Sequence, residues 1–306
     1  MKKIIINIIK GVVIGICNLA PGISGATVAL ILGVYQRTIK SISQIDLKLI
    51  KSISKFDIQN IKKHTDWKFL ISLGIGVGAG AIICAKFLNA AFKIYTAQTE
   101  AYFFGVILAF TIYMIKLIQK WKTQDYIFLT IGMLTSLSLI FVSGGNATGN
   151  LFFIFFCGIV ASIGLVTPGL SGSYIVLILG NLDSILLEPI DKITKFNFFG
   201  EHTLILLVFL LAQGIGGLLF SKPIKWCLEK YYNTTFATLS GLVLGSLTVP
   251  WPWKVHRNDD SKMLVEKLIY PTFENSSNDY IYVLMIIIGI ISVIGIEKIA
   301  RKYQNV

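Results

Sequence analysis

The chain has 306 residues, 54% of them hydrophobic and 14% charged, with a mean hydropathy of +0.72. That balance describes an integral membrane protein and excludes separate soluble domains, because no polar stretch is long enough to build one. The net charge of +12 suggests nucleic acid, but its placement along the chain argues against that partner.

The N-terminus, Met-Lys-Lys and then an apolar run, mimics a signal peptide. The run flows directly into the first motif, so no cleavage is expected. Lys10 interrupts it, leaving Gly11–Ala20 ahead of Ala20-Pro21-Gly22-Ile23-Ser24-Gly25-Ala26-Thr27. Proline followed by glycine cannot continue a helix, since a donor is lost and the next φ is freed. Ser24 is a good N-cap for a new helix running through the returning arm, Ser24–Tyr35. Ten helical residues rise roughly 15 Å, about half of a hydrocarbon core. The stretch 4–36 therefore reads as a re-entrant hairpin.

Arg37–Lys68 is a basic connector. Spans follow at about 69–88, 101–118 and 126–142, the first of them rich in glycine at Gly74, Gly76, Gly78 and Gly80. The uncharged turn that follows carries Asn146-Ala-Thr, an acceptor triplet of little weight. A second broken hairpin is expected at 151–187, then spans at about 203–220, 236–249 and 280–296. Trp251 and Trp253 begin the polar segment before the last span and mark a membrane interface.

The break is written twice. Thr167-Pro168-Gly169-Leu170-Ser171-Gly172-Ser173 repeats the first motif, and between Pro21 and Gly33 eight of 13 positions are identical in the second copy. The motif recurs at an offset of 147; Gly78, Gly80 and Lys86 recur as Gly214, Gly216 and Lys222 at 136. The expectation is an all-α polytopic membrane protein of two repeats, 1–145 and 146–306. Each holds one broken hairpin and about three transmembrane helices. That number of crossings is odd, so the repeats must have opposite orientations.

The charges agree with such a topology. With the N-terminus inside, segments 1–10, 37–68, 116–125, 222–230 and 297–306 face the cytoplasm and hold 20 of the 28 basic residues. Their net charge is +14 against −2 for the remainder. Both termini are thus expected in the cytoplasm, and the charge is a topology signal.

Chemistry is sparse. Cys17, Cys84, Cys157 and Cys227 lack CxxC spacing, the three histidines are isolated, and no metal site or cofactor is expected. Asp183 is the one acid near the outer end of a hairpin, where an interfacial role outweighs catalysis. Ser24 or Ser171 as a nucleophile would need a neighbouring base, and none is adjacent. Binding is better supported. Ser24, Gly25 and Thr27, with Ser171, Gly172 and Ser173, combine backbone N–H groups and hydroxyls that suit an oxyanion, above all a phosphate. Either motif alone would be an ordinary kink; two in matching halves point to a central site. Asn18 and Thr167 precede the breaks and could line it. Lys86 and Lys222 could capture an anionic headgroup at each face, or snorkel. Arg37 could assist on the cytoplasmic side, or simply be positive-inside.

At these residues the chain resembles the bacterial polyprenyl-phosphate transporter (PopT) family. The resemblance rests on Pro21-Gly22-Ile23-Ser24-Gly25-Ala26-Thr27 and Pro168-Gly169-Leu170-Ser171-Gly172-Ser173. Ala85-Lys86, Ser221-Lys222 and Gly245–Trp253 support it, and it covers essentially the whole chain. It implies a flippase in the bacterial cytoplasmic membrane that returns undecaprenyl phosphate, the lipid carrier of cell-wall synthesis, to the inner leaflet. Proton or cation coupling is compatible with it. The chain departs from the family pattern at Ala26, where a second Gly is expected, and at Cys17-Asn18, where an acid is frequent. Two other readings fit the residues less well. An intramembrane polyprenyl-pyrophosphate phosphatase would want an arginine within the motif and membrane-buried glutamates. A small-anion channel would leave the lipid tail without a purpose.

Overall fold

The computed structural model describes residues 2–18, 24–45, 65–140, 150–169, 171–179, 183–195, 197–255, 267–271 and 277–304. Twelve α-helices occur among these residues. The first break separates α1 (Lys2–Asn18) from α2 (Gly25–Ile31), and α3 (Tyr35–Ser43) follows. Three long helices come next: α4 (Trp67–Ile94), α5 (Thr96–Lys116) and α6 (Thr123–Ile140). The second break separates α7 (Leu151–Val166) from α8 (Gly172–Ile178); a π-helical turn, Asp183–Leu187, leads into α9 (Glu188–Thr194). The chain ends with α10 (Glu201–Lys230), α11 (Tyr232–Ser246) and α12 (Ser277–Gln304). A minimal antiparallel pair, β1 (Lys254–Val255) and β2 (Lys267–Leu268), lies between the last two.

Among the described residues, three helices are long and apolar enough to cross a membrane, at Thr96–Lys116, Glu201–Lys230 and Asn278–Ala300, with shorter apolar helices at Trp67–Ile83 and Leu151–Val166. Large apolar side chains cover their outer faces; Ile82, Ile83 and Phe87 on α4 are about as exposed as Leu211 on α10. A surface of this kind on helices of this length suits contact with lipid. The centre belongs to α5 and α11, where Ala101, Met114, Phe236 and Ala237 are fully buried.

Glycine sets how the helices meet. A Cβ on Gly76 would strike the Ile8 carbonyl, and one on Gly80 the Val12 carbonyl, so α1 and α4 pack backbone to backbone. The register advances together along both helices, which makes them parallel. A Cβ on Gly216 would likewise meet the Ile159 carbonyl, and one on Gly158 the Ala212 side chain, so α7 and α10 are parallel too. The same holds in the other layer. Gly132 lies against the Thr238 carbonyl, joining α6 to α11, and Gly289 against the Tyr102 carbonyl, joining α12 to α5.

These registers place the breaks. Gly15 abuts Ala81, so Asn18 stands about one turn further along, with roughly three turns of α4 still to run. Gly216 abuts Ser162, so Val166 stands at the matching height beside α10, about three turns short of Lys230. Each broken segment thus ends beside the interior of a long helix. The α4–α5 and α10–α11 joints are also alike. Tyr95 and Tyr231 bridge them with φ −127° and −131°, and Thr99 and Thr235 donate to the Ala91 and Cys227 carbonyls.

Several helices do not end where apolarity does. α1 runs straight through Lys10, because the side chain leaves the apolar face and its Nζ donates to the Leu32 carbonyl at 2.8 Å. The returning arm expected to reach Tyr35 stops at Ile31. Gly33 turns there with φ 69°, and Tyr35 opens a separate amphipathic helix. The second arm, expected to reach Leu187, ends its α-helix at Ile178. α10 continues past Phe220 through Pro223 to Lys230, so 222–230 is helix end and not loop. Charged residues there mark the end of lipid contact while the backbone hydrogen bonds carry on.

Candidate functional site

The two breaks meet. Ser24 has extended backbone (φ −94°, ψ 133°) and its hydroxyl accepts from Ala26 N–H at 3.2 Å, capping α2. The same hydroxyl donates across the molecule to the Gly164 carbonyl at 2.8 Å, with Thr167 O at 3.3 Å. Tyr35 donates its hydroxyl to the Val166 carbonyl at 2.6 Å, and Thr27 accepts from Gly169 N–H at 3.1 Å. Gly169, with φ 92°, is the left-handed turn residue that lets this N–H face α2.

The last carbonyls of a helix have no partner within it. In hydrocarbon each unpaired one costs several kcal/mol. Side chains from the first half therefore finish the C-terminus of α7: Gly164 and Thr167 are served by Ser24, Val166 by Tyr35. Thr167 itself turns back, its hydroxyl donating to the Ile163 carbonyl. All seven residues of α2 are buried, as are Ser24, Thr167 and Ser171.

α2 does not hold its first N–H groups open. Gly25 N–H goes to the Asn18 side chain at 3.1 Å, Ala26 N–H to the Ser24 hydroxyl, and Thr27 N–H to the Ser24 carbonyl at 2.9 Å. The second break is built differently. Ser171 and Ser173 face each other with hydroxyls 2.8 Å apart, beneath a close approach of Gly164 to Gly172, while Val243 of α11 presses on Gly169.

The remaining candidates lie elsewhere. Arg37 is drawn to the start of α4, where it forms a two-pronged ion pair with Asp66 (Nε to Oδ2 2.9 Å) and stacks 4.2 Å above the Phe69 ring. Lys222 is exposed on α10, and Lys86 occupies the equivalent turn of α4, each eight residues before its helix end. The side chain of Lys86, and Pro21 and Gly22 entirely, lie outside the described residues, whereas Pro168 is buried in the turn after α7.

Sequence reading missed Tyr35, because its partner is 131 residues away. It also missed Glu100, whose carboxylate pairs with Lys254 at 2.8 Å with both side chains about nine-tenths buried. Lys254 also donates to the Val249 carbonyl, and Trp253 donates to Asp279, so the segment after α11 is pinned to the starts of α5 and α12.

Residues 14–267 match the model of a protein family described as VCA0040-like, undecaprenyl phosphate translocase-like. A polyprenyl-phosphate transporter of Vibrio cholerae is 27% identical over 305 residues, covering 96% of this chain and 96% of its own length. One of the same name from Staphylococcus aureus is 29% identical over 263 residues, 81% of this chain and 86% of its own. No solved structure matches. The chain belongs to the undecaprenyl phosphate translocase-like family, a family of transporters and not of enzymes.

Proposed function

We infer that this protein moves a polyprenyl phosphate across the membrane, with the phosphate carried between the two broken segments and the polyprenyl tail left in lipid. Burying an unpaired phosphate in hydrocarbon costs many kcal/mol, whereas the tail crosses at no such penalty. A small polar passage is therefore sufficient. The observation that carries this reading is the hydrogen-bonded meeting of the breaks beside the interiors of α4 and α10.

Two inverted repeats with re-entrant hairpins are the architecture we propose. Its support is the matched register: Gly80 with Val12 against Gly216 with Ile159, and Gly289 with Tyr102 against Gly132 with Thr238. The first pair is related by the offsets 136 and 147 already present in the sequence. Parallel α1 and α4 require that the intervening segment return to the side it left, as a hairpin does. Lys10 meeting Leu32 has the same implication. α5 and α11 run oppositely, since Gln119 and Lys120 beyond α5 meet Asn233 at the start of α11. The N- and C-termini then share one face, which the lysine and arginine count makes cytoplasmic.

The described conformation is a closed one in this scheme. Ser24 and Thr27 are spent on the opposite half, so rocking the halves apart would free their hydroxyls, the Gly169 N–H, and Ser171 with Ser173, for phosphate. Asn18, Gly25, Thr167, Pro168 and Gly172 would shape the passage; Pro21 and Gly22, outside the described residues, belong to the same proposal. Lys86 and Lys222 are candidates for headgroup capture, while Arg37, occupied by Asp66, is the weakest. A proton or cation as coupling ion belongs to the same proposal.

The test uses proteoliposomes holding a fluorescent polyprenyl phosphate. Wild type should equilibrate the lipid between leaflets, and Ser24→Ala with Ser171→Ala should slow exchange about tenfold or more while the protein stays folded. Exchange at the wild-type rate in that double variant would move the passage elsewhere.

A further inference from the structure

A second polar site lies away from the breaks. The loop between α5 and α6 meets the α10–α11 joint around a cavity of about 430 Å³, bordered by Gln119, Lys122, Lys230, Tyr231, Asn233 and Thr234. Its frame is rigid. Asn233 donates to the Lys120 carbonyl at 3.1 Å and accepts from Gln119 N–H. The Asp125 carboxylate beneath is buried and already bonded, accepting from Lys122 N–H at 2.8 Å and the Thr234 hydroxyl at 2.7 Å. That leaves two exposed ammonium groups, Lys122 and Lys230, against one carboxylate whose oxygens are in use.

The surroundings are those of a membrane interface. Trp121 packs on Tyr126 at 4.7 Å on one flank, and Trp226 on Tyr231 at 5.4 Å on the other. Lys230 is held 5.4 Å from the Trp226 ring, keeping its charge at the rim. Below the cavity, Ile127, Phe128, Ile131 and Leu134 line an exposed apolar strip along α6. Cations at a polar mouth, aromatic flanks and an apolar strip running inward match an anionic lipid from headgroup to tail.

We propose that this cavity binds the phosphate group of an anionic membrane lipid, held by Lys122 and Lys230 with the acyl chains lying on α6. It is separate from the passage between the breaks and does not depend on transport. Inorganic phosphate offers the same charge without the tail, so both sources enter the test.

Full-length protein in phosphatidylcholine nanodiscs would be titrated with phosphatidylglycerol and, separately, with inorganic phosphate, reading retained lipid by native mass spectrometry and thermal stability. Lys122→Gln with Lys230→Gln should weaken phosphatidylglycerol retention about tenfold, as expected for losing two charge-assisted contacts. Lys122→Arg with Lys230→Arg should retain it. Lys3→Gln with Lys40→Gln, which removes the same charge from α1 and α3, should leave it unchanged. Inorganic phosphate binding that disappears in the glutamine pair would support the phosphate site and assign it a soluble ligand. Equal losses in the glutamine pair and the α1–α3 control, or no loss in either, would overturn the proposal.

Discussion

The two breaks share a motif yet are held in different ways. The first is locked: α2 is buried along its whole length, and Ser24, Thr27 and Tyr35 all bond to the other half. It belongs to the main core, with Val28, Ile31 and Tyr35 packed among residues of α5 and α11. The second is divided: Val166 before it belongs to that same core, whereas Val176 of α8 lies in a smaller apolar cluster with Ile154, Cys157 and Phe209, and the Ser171 and Ser173 hydroxyls turn to each other. Ser24 thus serves in a clasp, while its counterpart Ser171 pairs with Ser173, where the first motif has Ala26; the clasp partners Thr27 and Tyr35 have Tyr174 and Leu182 in the corresponding places. Under the proposed alternation the two breaks would then differ in what their opening costs, the first having more bonds across the molecule to release.

The strongest way to test whether both halves depend equally on their seats is to crowd them. Gly80→Leu drives a side chain into the Val12 carbonyl, and Gly216→Leu drives one into the Ser162 hydroxyl with the Ile159 carbonyl behind it. Backbone cannot yield as a flexible side chain can, so each should cost about 3 kcal/mol or more. Thermal unfolding in detergent should show equal losses. A large loss for Gly80→Leu beside a negligible one for Gly216→Leu would mean that only the first seat matters.

Ser24→Ala ranks next. It strips the donor from two carbonyls at the end of α7 and the cap from α2, a cost of about 2 kcal/mol. Tyr35→Phe removes one donor, to Val166, and should cost about 1 kcal/mol. If the clasp exists, the double variant should cost less than the sum, because both groups finish the same helix end. Strict additivity would show that the two act independently.

The position of the breaks was legible because proline and glycine act on the backbone itself, whatever surrounds them. Asn18, Gly25, Val166 and Gly172 bound helices where the motif required it. Helix ends defined by charge were not legible. Lys10 and Lys222 stop an apolar run without stopping a hydrogen-bond ladder, and α1 and α10 pass through both. Arg37 illustrates a different limit. Two residues after Tyr35 in the chain, it is on another face of α3 and finds Asp66, while Tyr35 finds the break. Sequence proximity to a motif says nothing about which way a helix turns its side chains. The pairing of Ser24 with Gly164 is invisible for the same reason, since a carbonyl partner leaves no residue-specific mark.

The smallest effect on stability should accompany a large effect on transport. Ser171→Ala with Ser173→Ala removes one hydrogen bond between two hydroxyls and leaves no backbone carbonyl newly unpaired among the described residues. Because both partners of that bond go together, stability should change by about 0.5 kcal/mol or less. If these hydroxyls receive the phosphate when the clasp opens, lipid exchange should fall about tenfold, and Ser171→Thr, which restores a hydroxyl, should recover part of it. Ser24→Ala alone should instead lower stability and disturb exchange together, because its hydroxyl serves the closed state as well as the passage. A Ser171→Ala with Ser173→Ala protein that unfolds as early as Ser24→Ala would erase the difference between the two breaks. One that exchanges lipid at the wild-type rate would leave that difference structural, with no share in carrying the phosphate.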